Sequence, residues 1–436
     1  MWPSHVSGRT GAQVDITGAE RAAHRPAGPA GPHAPAGLLA VWGVTRLLLL
    51  LCVFEVWVFP GPDVTSDVSV IYRGWYDVLR TGTFPGADVT WQYPPGAALA
   101  ILAPGLLPFL DYASAFFVLA FLADLVVLVL LLRAGTGADR GPRGARLWVA
   151  GLPLLGPTVY ARYDVMVTAV AVAALVAGAR HPRVAGVLIG FGALLKVWPA
   201  LLLAGAVRRR TWGAAAACTA VLAGVSALAA PGAFAFLTSQ RDRGTEVESL
   251  GGLVLHVARH TGWDGQVLLH YGSMEFLGPY VREVSTAAQV LTALAFGWLL
   301  LWRLRARRFG PAAPADAAFT AVLLFTVTSR VISPQYLVWL VGLAAVCLCF
   351  RASRMLPAAL LVAAASLVTV LEFPVWFAHV VASDPLGVAL LFVRNGLLVA
   401  AAVVAAVRLW RSTVPDGAPA PVPGQAARTR ETSASS

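Results

Sequence analysis

The sequence predicts an all-α polytopic membrane protein with about twelve transmembrane helices and outer-face loops, and three observations support this fold class. First, 58% of the 436 residues are hydrophobic and only 13% are charged, with a mean hydropathy of +0.71. Second, the apolar residues form continuous runs of about 15–24, close to the roughly 20 residues that cross a bilayer as a helix. Third, many connections between these runs are short and rich in arginine, which is typical of cytoplasmic loops.

The predicted spans follow one another along most of the chain. One apolar stretch has Lys196 in its middle and arginines at both ends, so it predicts two short helices that meet near Lys196 and Pro199; counting that pair gives about twelve spans. The apolar run 94–110 is interrupted by several prolines and predicts a juxtamembrane or re-entrant element. The predicted spans are 41–58, 113–132, 147–160, 165–178, 184–207, 212–230, 285–302, 315–327, 336–350, 356–371 and 385–407.

Arginines set the predicted topology, because connections rich in basic residues stay in the cytoplasm. Both termini are then cytoplasmic, and the segments 60–92 and 231–284 lie outside, as expected of a multi-pass protein of the plasma membrane. These connections account for the net charge of +11, which therefore does not predict a nucleic-acid partner. The arginines concerned are Arg133, Arg140, Arg143, Arg146, Arg180, Arg183, Arg208, Arg209, Arg210, Arg303, Arg305, Arg307, Arg308, Arg351 and Arg354.

The two ends of the chain differ from its middle. Residues 1–36 are rich in Pro, Ala and Gly and start with no apolar core, so they predict a disordered cytoplasmic tail rather than a cleavable signal peptide. Residues 412–436 predict a second disordered cytoplasmic tail, which leaves 37–411 as the integral membrane domain. The four cysteines lie inside apolar runs without metal-ligand spacing, and we expect them to pack as small apolar side chains.

The first outer loop contains acids that follow closely on the first span. Asp63 and Asp67 are expected at the membrane surface, where a carboxylate can remove a proton from a sugar hydroxyl. Such general-base catalysis contributes about 10²–10⁴-fold in rate. The alternative is that these acids are ordinary solvated loop residues, which are common.

Two further charged motifs are predicted on the same outer side. Arg162 and Asp164 either form a local ion pair that caps helices, or Arg162 binds a phosphate, for which its planar guanidinium is suited. Lys196 is the only lysine of the chain, and a charge within an apolar run is a functional candidate. Its ammonium can meet a lipid-linked phosphate near the outer surface, or it can snorkel to the interface.

For three other charged residues, the sequence gives less specific evidence of a functional role. Arg330 begins a third outer element, 330–336, which continues through Ser333, Pro334 and Gln335. Asp124 and Arg394 lie in or near predicted spans and can pair with each other or with neighbours.

The order of these elements resembles the polyprenol-phosphate-mannose-dependent glycosyltransferases of the GT-C superfamily, family 87. The resemblance extends from about residue 41 to residue 410, and its motifs are short. The matching pieces are Asp67-x-x-x-x-Tyr72, Tyr93-Pro94-Pro95, Arg162-x-Asp164, Lys196-x-x-Pro199, Ser333-Pro334 and Glu246-Val-Glu248-Ser249.

The resemblance implies a GT-C-type fold and a membrane hexosyltransferase that uses a polyprenyl-phosphate sugar and an acceptor on a lipid or cell-envelope glycan. It implies that Asp67 is the general base of an inverting transfer of mannose or another pentose or hexose. Lys196, Arg162 and Arg330 would stabilise the leaving phosphate, and Asp164 belongs to the same expected site. The sugar or lipid path would be lined by Tyr72, Trp75, Tyr93 and Trp91. Gln335 stands where some mycobacterial members carry histidine, which leaves the acceptor and the sugar open.

Two questions remain open in the sequence. A secondary transporter or lipid-linked sugar flippase also explains many spans with internal charges, although the sequence shows no clear internal repeat and its polar candidates gather at one surface. No cofactor is predicted, while a divalent metal is undecided, since Asp63, Asp67 and Asp164 have suitable oxygen ligands.

Overall fold

A computed structural model describes residues 33–238 and 243–415, and this part of the chain is mainly helical. The predicted tails lie largely outside the described residues, although the first helix already begins at His33 and the last ends at Thr413. The α-helices are α1 (His33–Val53), α2 (Arg73–Arg80), α3 (Ala97–Leu102), α4 (Tyr112–Ala134), α5 (Arg143–Gly151), α6 (Asp164–Gly178), α7 (Pro182–Leu195), α8 (Arg209–Ala229), α9 (Leu250–Arg259), α10 (Val281–Arg305), α11 (Ala313–Thr328), α12 (Tyr336–Leu348), α13 (Leu356–Val370), α14 (Phe377–Ala382) and α15 (Pro385–Thr413).

Other helical forms extend or join these helices. Within residues 33–238 and 243–415, three segments are 3₁₀-helices: Ala103–Leu106, Leu152–Val159 and Trp198–Gly205. Two others, Asp67–Tyr72 and Leu371–Val375, have π-helical hydrogen bonding. Each predicted span coincides with one of these helices or with a joined pair, which confirms the polytopic helical class.

Six helices of the described chain are long and apolar enough to cross a membrane. They contain the windows Ala36–Val53, Tyr112–Ala134, Arg209–Ala229, Val281–Arg305, Leu356–Val375 and Pro385–Thr413. The helices α6, α7, α11 and α12 are apolar but shorter, so the total of about twelve spans stays a prediction.

The interrupted stretch around Lys196 has the predicted form. Helix α7 ends at Leu195, Lys196 adopts an extended conformation with φ −158° and ψ 134°, and a 3₁₀-helix follows from Trp198. Pro199 lies in the first turn of that helix, where a missing backbone N–H costs nothing. The chain therefore reverses at Lys196 and places this buried residue at the tip of a helical hairpin.

Glycines allow close packing of the helices beside this hairpin. A Cβ atom on Gly186 would lie 2.3 Å from the carbonyl oxygen of Thr211, and one on Gly190 would lie 2.6 Å from that of Ala215. The two glycines are four residues apart, on one face of α7, so the backbone of α8 approaches along that face. Helix α12 lies at the centre of the bundle, since all its residues from Leu337 to Leu348 are buried.

The arginine-rich connections meet at one end of the molecule, which we call the arginine end. Nε of Arg351 donates to the carbonyl oxygen of Arg140 at 2.8 Å, and Arg408 donates to that of Arg354 at 3.1 Å. The backbone N–H of Arg307 bonds to Thr413 at 2.9 Å. The helices thus bring these connections together, as the charge pattern predicts.

Two charged groups inside the bundle have neighbours as partners. Arg46 pairs with Asp124 at 2.8 Å, and the carboxylate of Asp124 also accepts hydrogen bonds of 2.6 Å from Trp148 and Tyr160. Arg394 pairs instead with Glu372. Of the two alternatives that the sequence left open, pairing between Asp124 and Arg394 is therefore wrong and pairing with neighbours is correct.

The second outer segment contains a small antiparallel sheet that the apolar pattern does not predict. Its strands are β1 (Thr245–Glu246), β2 (Gln266–His270) and β3 (Ser273–Leu277), in the order β1-β3-β2. Glu246 faces Glu275 in the register, and His270 faces Ser273 across the hairpin turn. The sheet holds Glu246 and the residues after it against the helical bundle.

Candidate active site

A cavity of about 610 Å³ opens at the end of the bundle away from the arginine end. Its wall combines residues from the first outer loop, the Lys196 hairpin tip, the β-sheet segment and the start of α12. Two residues predicted for the site, Asp164 and Trp91, are not on the wall itself. The predicted residues that line the cavity are Asp63, Asp67, Tyr72, Trp75, Tyr93, Arg162, Lys196, Arg330 and Gln335.

Asp67 is held by an arginine from another part of the chain. Its Oδ2 lies 2.8 Å from Nη2 of Arg162, whose Nη1 donates to the carbonyl oxygens of Val64, at 2.9 Å, and Ala161, at 2.7 Å. The side chain of Asp67 is 30% exposed whereas that of Arg162 is 11% exposed. The guanidinium of Arg162 therefore holds the Asp67 carboxylate in place, while the carboxylate remains partly exposed in the cavity.

A second acid, Asp63, has a structural role and stabilises the turn before Asp67. Oδ1 of Asp63 accepts hydrogen bonds of 2.7 Å from both the backbone N–H and the hydroxyl of Thr65. This side chain-to-backbone arrangement is typical of the turn that opens a helix. Asp63 thus shapes the loop that presents Asp67 to the cavity.

Lys196 pairs with Asp164, which lies just behind the cavity wall. Nζ of Lys196 is 2.7 Å from Oδ1 of Asp164, and the same oxygen accepts a 2.6 Å hydrogen bond from Nε1 of Trp339. Arg162 and Asp164 therefore do not form the local ion pair that the sequence allowed. Each has a separate partner, so the motif Arg162-x-Asp164 supplies two different ion pairs of one site.

Aromatic rings surround the ammonium group of Lys196. Their centroids lie 5.0–5.5 Å from Nζ, within the range of cation–π attraction. These rings keep a positive charge in an apolar setting, and they define where the ammonium sits. The rings belong to Tyr93, Tyr163, Tyr336 and Trp339.

Tyr72 and Tyr93 are enclosed members of the same aromatic group. The ring of Tyr72 stacks on that of Trp75, with centroids 5.5 Å apart, and Tyr93 meets Tyr163 edge to face at 5.3 Å. Burial raises the pKa of Tyr93 to about 12, with further increases from the negative charges of Asp164 and Asp67. The Tyr93 hydroxyl is therefore a neutral hydrogen-bond donor at ordinary pH.

Another part of the wall depends on Glu246, which the sequence indicated only through the family resemblance. Its carboxylate accepts hydrogen bonds from the backbone N–H of Ile332, at 2.7 Å, and from the hydroxyl of Ser333, at 3.0 Å. Its own N–H bonds to the carbonyl oxygen of Arg330 at 3.1 Å. Burial raises the pKa of Glu246. These bonds lock the β-sheet segment to the element 330–336.

Sequence reasoning missed several wall residues. Trp339 lies one helical turn after Gln335, on the same face of α12, and this spacing was a usable signal. Arg243 also lines the cavity and donates to Glu275 at 2.7 Å. Glu248, which the sequence indicated only within the family motif, lines it too. Its partner Arg394 lies more than a hundred residues away, and no local pattern indicates this pairing.

The three acids considered for a metal do not converge. Asp63 bonds to Thr65, Asp67 pairs with Arg162, and Asp164 pairs with Lys196. Among the residues that the structure describes, no group of three or more His, Cys, Asp or Glu side chains could hold a metal ion. These residues therefore do not fit a shared metal site, and we derive no step through one.

The fold and the cavity define an integral membrane protein with a charged, aromatic-lined site at one end of a helical bundle. The chain belongs to glycosyltransferase family 87, because the model of that family matches residues 91–334, more than half of the sequence. It is therefore a membrane glycosyltransferase, as the resemblance implied. The matched region contains Tyr93, Arg162, Lys196 and Arg330, whereas Asp67 precedes it.

Two structures of ArnT from Cupriavidus metallidurans are among the solved structures to which this chain is similar. The form bound to undecaprenyl phosphate is 14% identical with a TM-score of 0.42, over 87% of this chain and 76% of that chain. The apo form is 15% identical with a TM-score of 0.42, over 87% of this chain and 78% of that chain. No curated protein matches this sequence.

Proposed function

We propose that this glycosyltransferase moves mannose, or another hexose or pentose, from a polyprenyl-phosphate sugar to a lipid or cell-envelope glycan. One observation carries the proposal: a partly exposed carboxylate, Asp67, shares a single cavity with the cationic side chains of Arg162 and Lys196. A transfer from a sugar phosphate requires a base for the acceptor hydroxyl and positive charge for the leaving phosphate. The cavity contains both.

Asp67 acts as the general base. Its Oδ2 is fixed by Arg162, and its carboxylate accepts the proton of the acceptor hydroxyl. The acceptor oxygen then forms a bond to the anomeric carbon, while the bond from that carbon to the phosphate oxygen breaks. Polyprenyl phosphate leaves with the electron pair. A single displacement inverts the anomeric centre, so a β-linked donor gives an α-linked product.

Lys196 and the two arginines stabilise the charge on the leaving phosphate. An ammonium group has three N–H donors, and Asp164 accepts one of them, so Lys196 retains donors for phosphate oxygens. Positive charges that are already fixed where negative charge develops contribute strongly to lowering the barrier. Arg330 contributes from the neighbouring part of the wall.

The cavity faces the outside of the plasma membrane in this proposal. Arginine-rich connections stay in the cytoplasm, and the arginine end lies at the opposite side of the bundle from the cavity. Both termini are then cytoplasmic. Lipid-linked donor and membrane-anchored acceptor both reach the site from the outer leaflet.

The proposal is tested with membranes that contain the wild type or Asp67→Asn at equal protein level. Radiolabelled polyprenyl-phosphate mannose is supplied with an envelope lipid extract, and transfer to glycolipid is followed. The wild type is expected to transfer label, and the variant to lose about 10²–10⁴-fold of that rate. Unchanged transfer in the variant would contradict the role of Asp67. Absence of transfer from mannose, arabinose and glucose donors would contradict the proposed donor class.

A further inference from the structure

Glu248 lies on the cavity wall and belongs to a buried cluster with Glu372 and Arg394. Glu372 accepts two hydrogen bonds from Arg394, 2.8 Å from Nε and 2.9 Å from Nη2. Oε1 of Glu248 lies farther away, 3.6 Å from Nη2 of the same guanidinium. The side chain of Glu248 is 6% exposed and the other two are 0% exposed. The cluster thus places two carboxyl groups around one buried guanidinium.

The charges in this cluster do not balance if both carboxyl groups are ionised. The two short bonds between Glu372 and Arg394 are those of a carboxylate facing a guanidinium. The carboxyl groups of Glu248 and Glu372 both face one nitrogen, Nη2 of Arg394, and two adjacent carboxyl groups away from water do not both ionise. Burial raises the pKa of Glu248 well above its ordinary value, and the charges of Glu372 and Glu246 raise it further.

Oε1 of Glu248, the oxygen that faces Arg394, makes no hydrogen bond in the described part of the chain, although it is buried. Glu248 lines the cavity together with the rings of Phe373 and Phe377, whose centroids are 5.0 Å apart. Buried polar atoms without hydrogen bonds are uncommon, and here the guanidinium beside Oε1 is already bonded to Glu372. Aromatic faces beside a few polar groups are the usual lining of a site for a small molecule.

We propose that Glu248 keeps its proton and donates a hydrogen bond to a hydroxyl oxygen of a sugar bound in the cavity. The inference rests on the proposed glycosyl transfer and names one of its sugar-binding residues. Arg394 and Glu372 are positioning residues, because they fix the side chain of Glu248 without reaching the sugar themselves. The sugar belongs either to the donor or to the acceptor, and both present the same hydroxyl chemistry.

The test compares Glu248→Gln with Glu248→Ala, alongside the wild type, Asp67→Asn and an exposed control, Glu283→Gln. Glutamine is neutral, has nearly the same shape and donates hydrogen bonds, so it replaces a protonated carboxyl group and not a carboxylate. Transfer rates are measured per folded protein at varied donor and acceptor concentrations. Thermal stability in detergent is recorded for every variant, which separates a loss of folding from a loss of binding.

Glu248→Gln is expected to keep kcat/KM within about threefold of the wild type, and Glu248→Ala to lose about tenfold, with an increased KM. An increase confined to the donor KM assigns the hydrogen bond to the donor sugar, and one confined to the acceptor KM assigns it to the acceptor sugar. Equal losses in the two variants, or no loss in either, would overturn the inference. No transfer by the wild type would overturn the proposed function and this inference together.

The pH profile gives a second readout. The protonated form of Glu248 is present below its raised pKa, so transfer by the wild type decreases as pH rises through that value, and Glu248→Gln lacks this decrease. Burial lowers the pKa of His256, which packs nearby, to about 4, so this group stays neutral over the range. A wild-type profile identical to that of Glu248→Gln would contradict the inference. The charged groups that face Glu248 are Glu246, Glu372 and Arg394.

Discussion

The ion pair of Arg46 and Asp124 inside the bundle differs from that of Arg162 and Asp67 at the cavity. The first pair is 1% and 0% exposed, and Asp124 has further bonds from Trp148 and Tyr160. In the second pair, Asp67 is 30% exposed. Buried charges stabilise a fold only when their hydrogen bonds are complete. The difference therefore separates a charge that serves the fold from a charge that remains available to a substrate.

The same contrast extends to the other acids of the site. Oδ2 of Asp164 and Oε1 of Glu248 are buried without hydrogen bonds among the described residues, although Oε1 faces Arg394 at 3.6 Å. The hydrogen bonding of these two acids is therefore less complete than that of Asp124 in the bundle. Substitutions at four positions distinguish charges that stabilise the bundle from charges that act in the cavity.

Asp67→Asn should have the largest effect on transfer. Asparagine keeps the shape of the side chain but cannot accept the proton, so the rate should decrease about 10²–10⁴-fold. Asp63→Asn is the matched control from the same loop, because it keeps an oxygen for Thr65 and should lose far less. Radiolabel transfer at equal protein level measures both, and a similar loss in the two variants would contradict a specific role for Asp67.

Asp124→Asn should act on stability instead. It leaves the buried guanidinium of Arg46 without a countercharge, which costs about 3–5 kcal/mol. The melting temperature in detergent should decrease clearly, while the transfer rate per folded molecule stays close to that of the wild type. A normal melting temperature together with lost transfer would show that this pair serves catalysis. That result would contradict the distinction between the two ion pairs.

Lys196→Arg should reduce transfer by about tenfold, mainly through a higher KM for the donor. The four rings around Nζ leave room for a compact ammonium, and a planar guanidinium does not fit the same position. Lys196→Met, which removes the charge but keeps the length, should lose at least as much. Wild-type kinetics in Lys196→Arg would show that only the charge matters at this position.

Tyr93→Phe should have the smallest effect, a decrease of about two- to tenfold from the loss of one hydrogen-bond donor. The pKa of Tyr93 is about 12, so its hydroxyl stays protonated below that value and the variant should leave the shape of the pH profile unchanged. Transfer rates from pH 6 to 9 check this expectation. Loss of an alkaline decrease in Tyr93→Phe would assign that decrease to Tyr93 rather than to Glu248.

The sequence predicts the helices well because each apolar run is a local signal. The interruption at Lys196 is also local, since a charge and Pro199 stand within one run. The sequence does not predict strands β1–β3, because such short strands show no clear alternation of apolar and polar residues. The partners of Glu248 are not predicted for another reason: Glu372 and Arg394 come from distant helices, and their meeting depends on how the bundle packs.

The most direct test is a side-by-side measurement of Asp67→Asn and Asp124→Asn, with transfer rate per folded molecule and melting temperature determined on the same preparations. The account predicts that Asp67→Asn loses transfer with a smaller decrease in melting temperature than Asp124→Asn, because Asp67 is partly exposed to water. Asp124→Asn is expected to lose stability at an unchanged rate per folded molecule. The reverse pattern, or a loss of both properties in both variants, would contradict the separation between the charges of the bundle and those of the cavity.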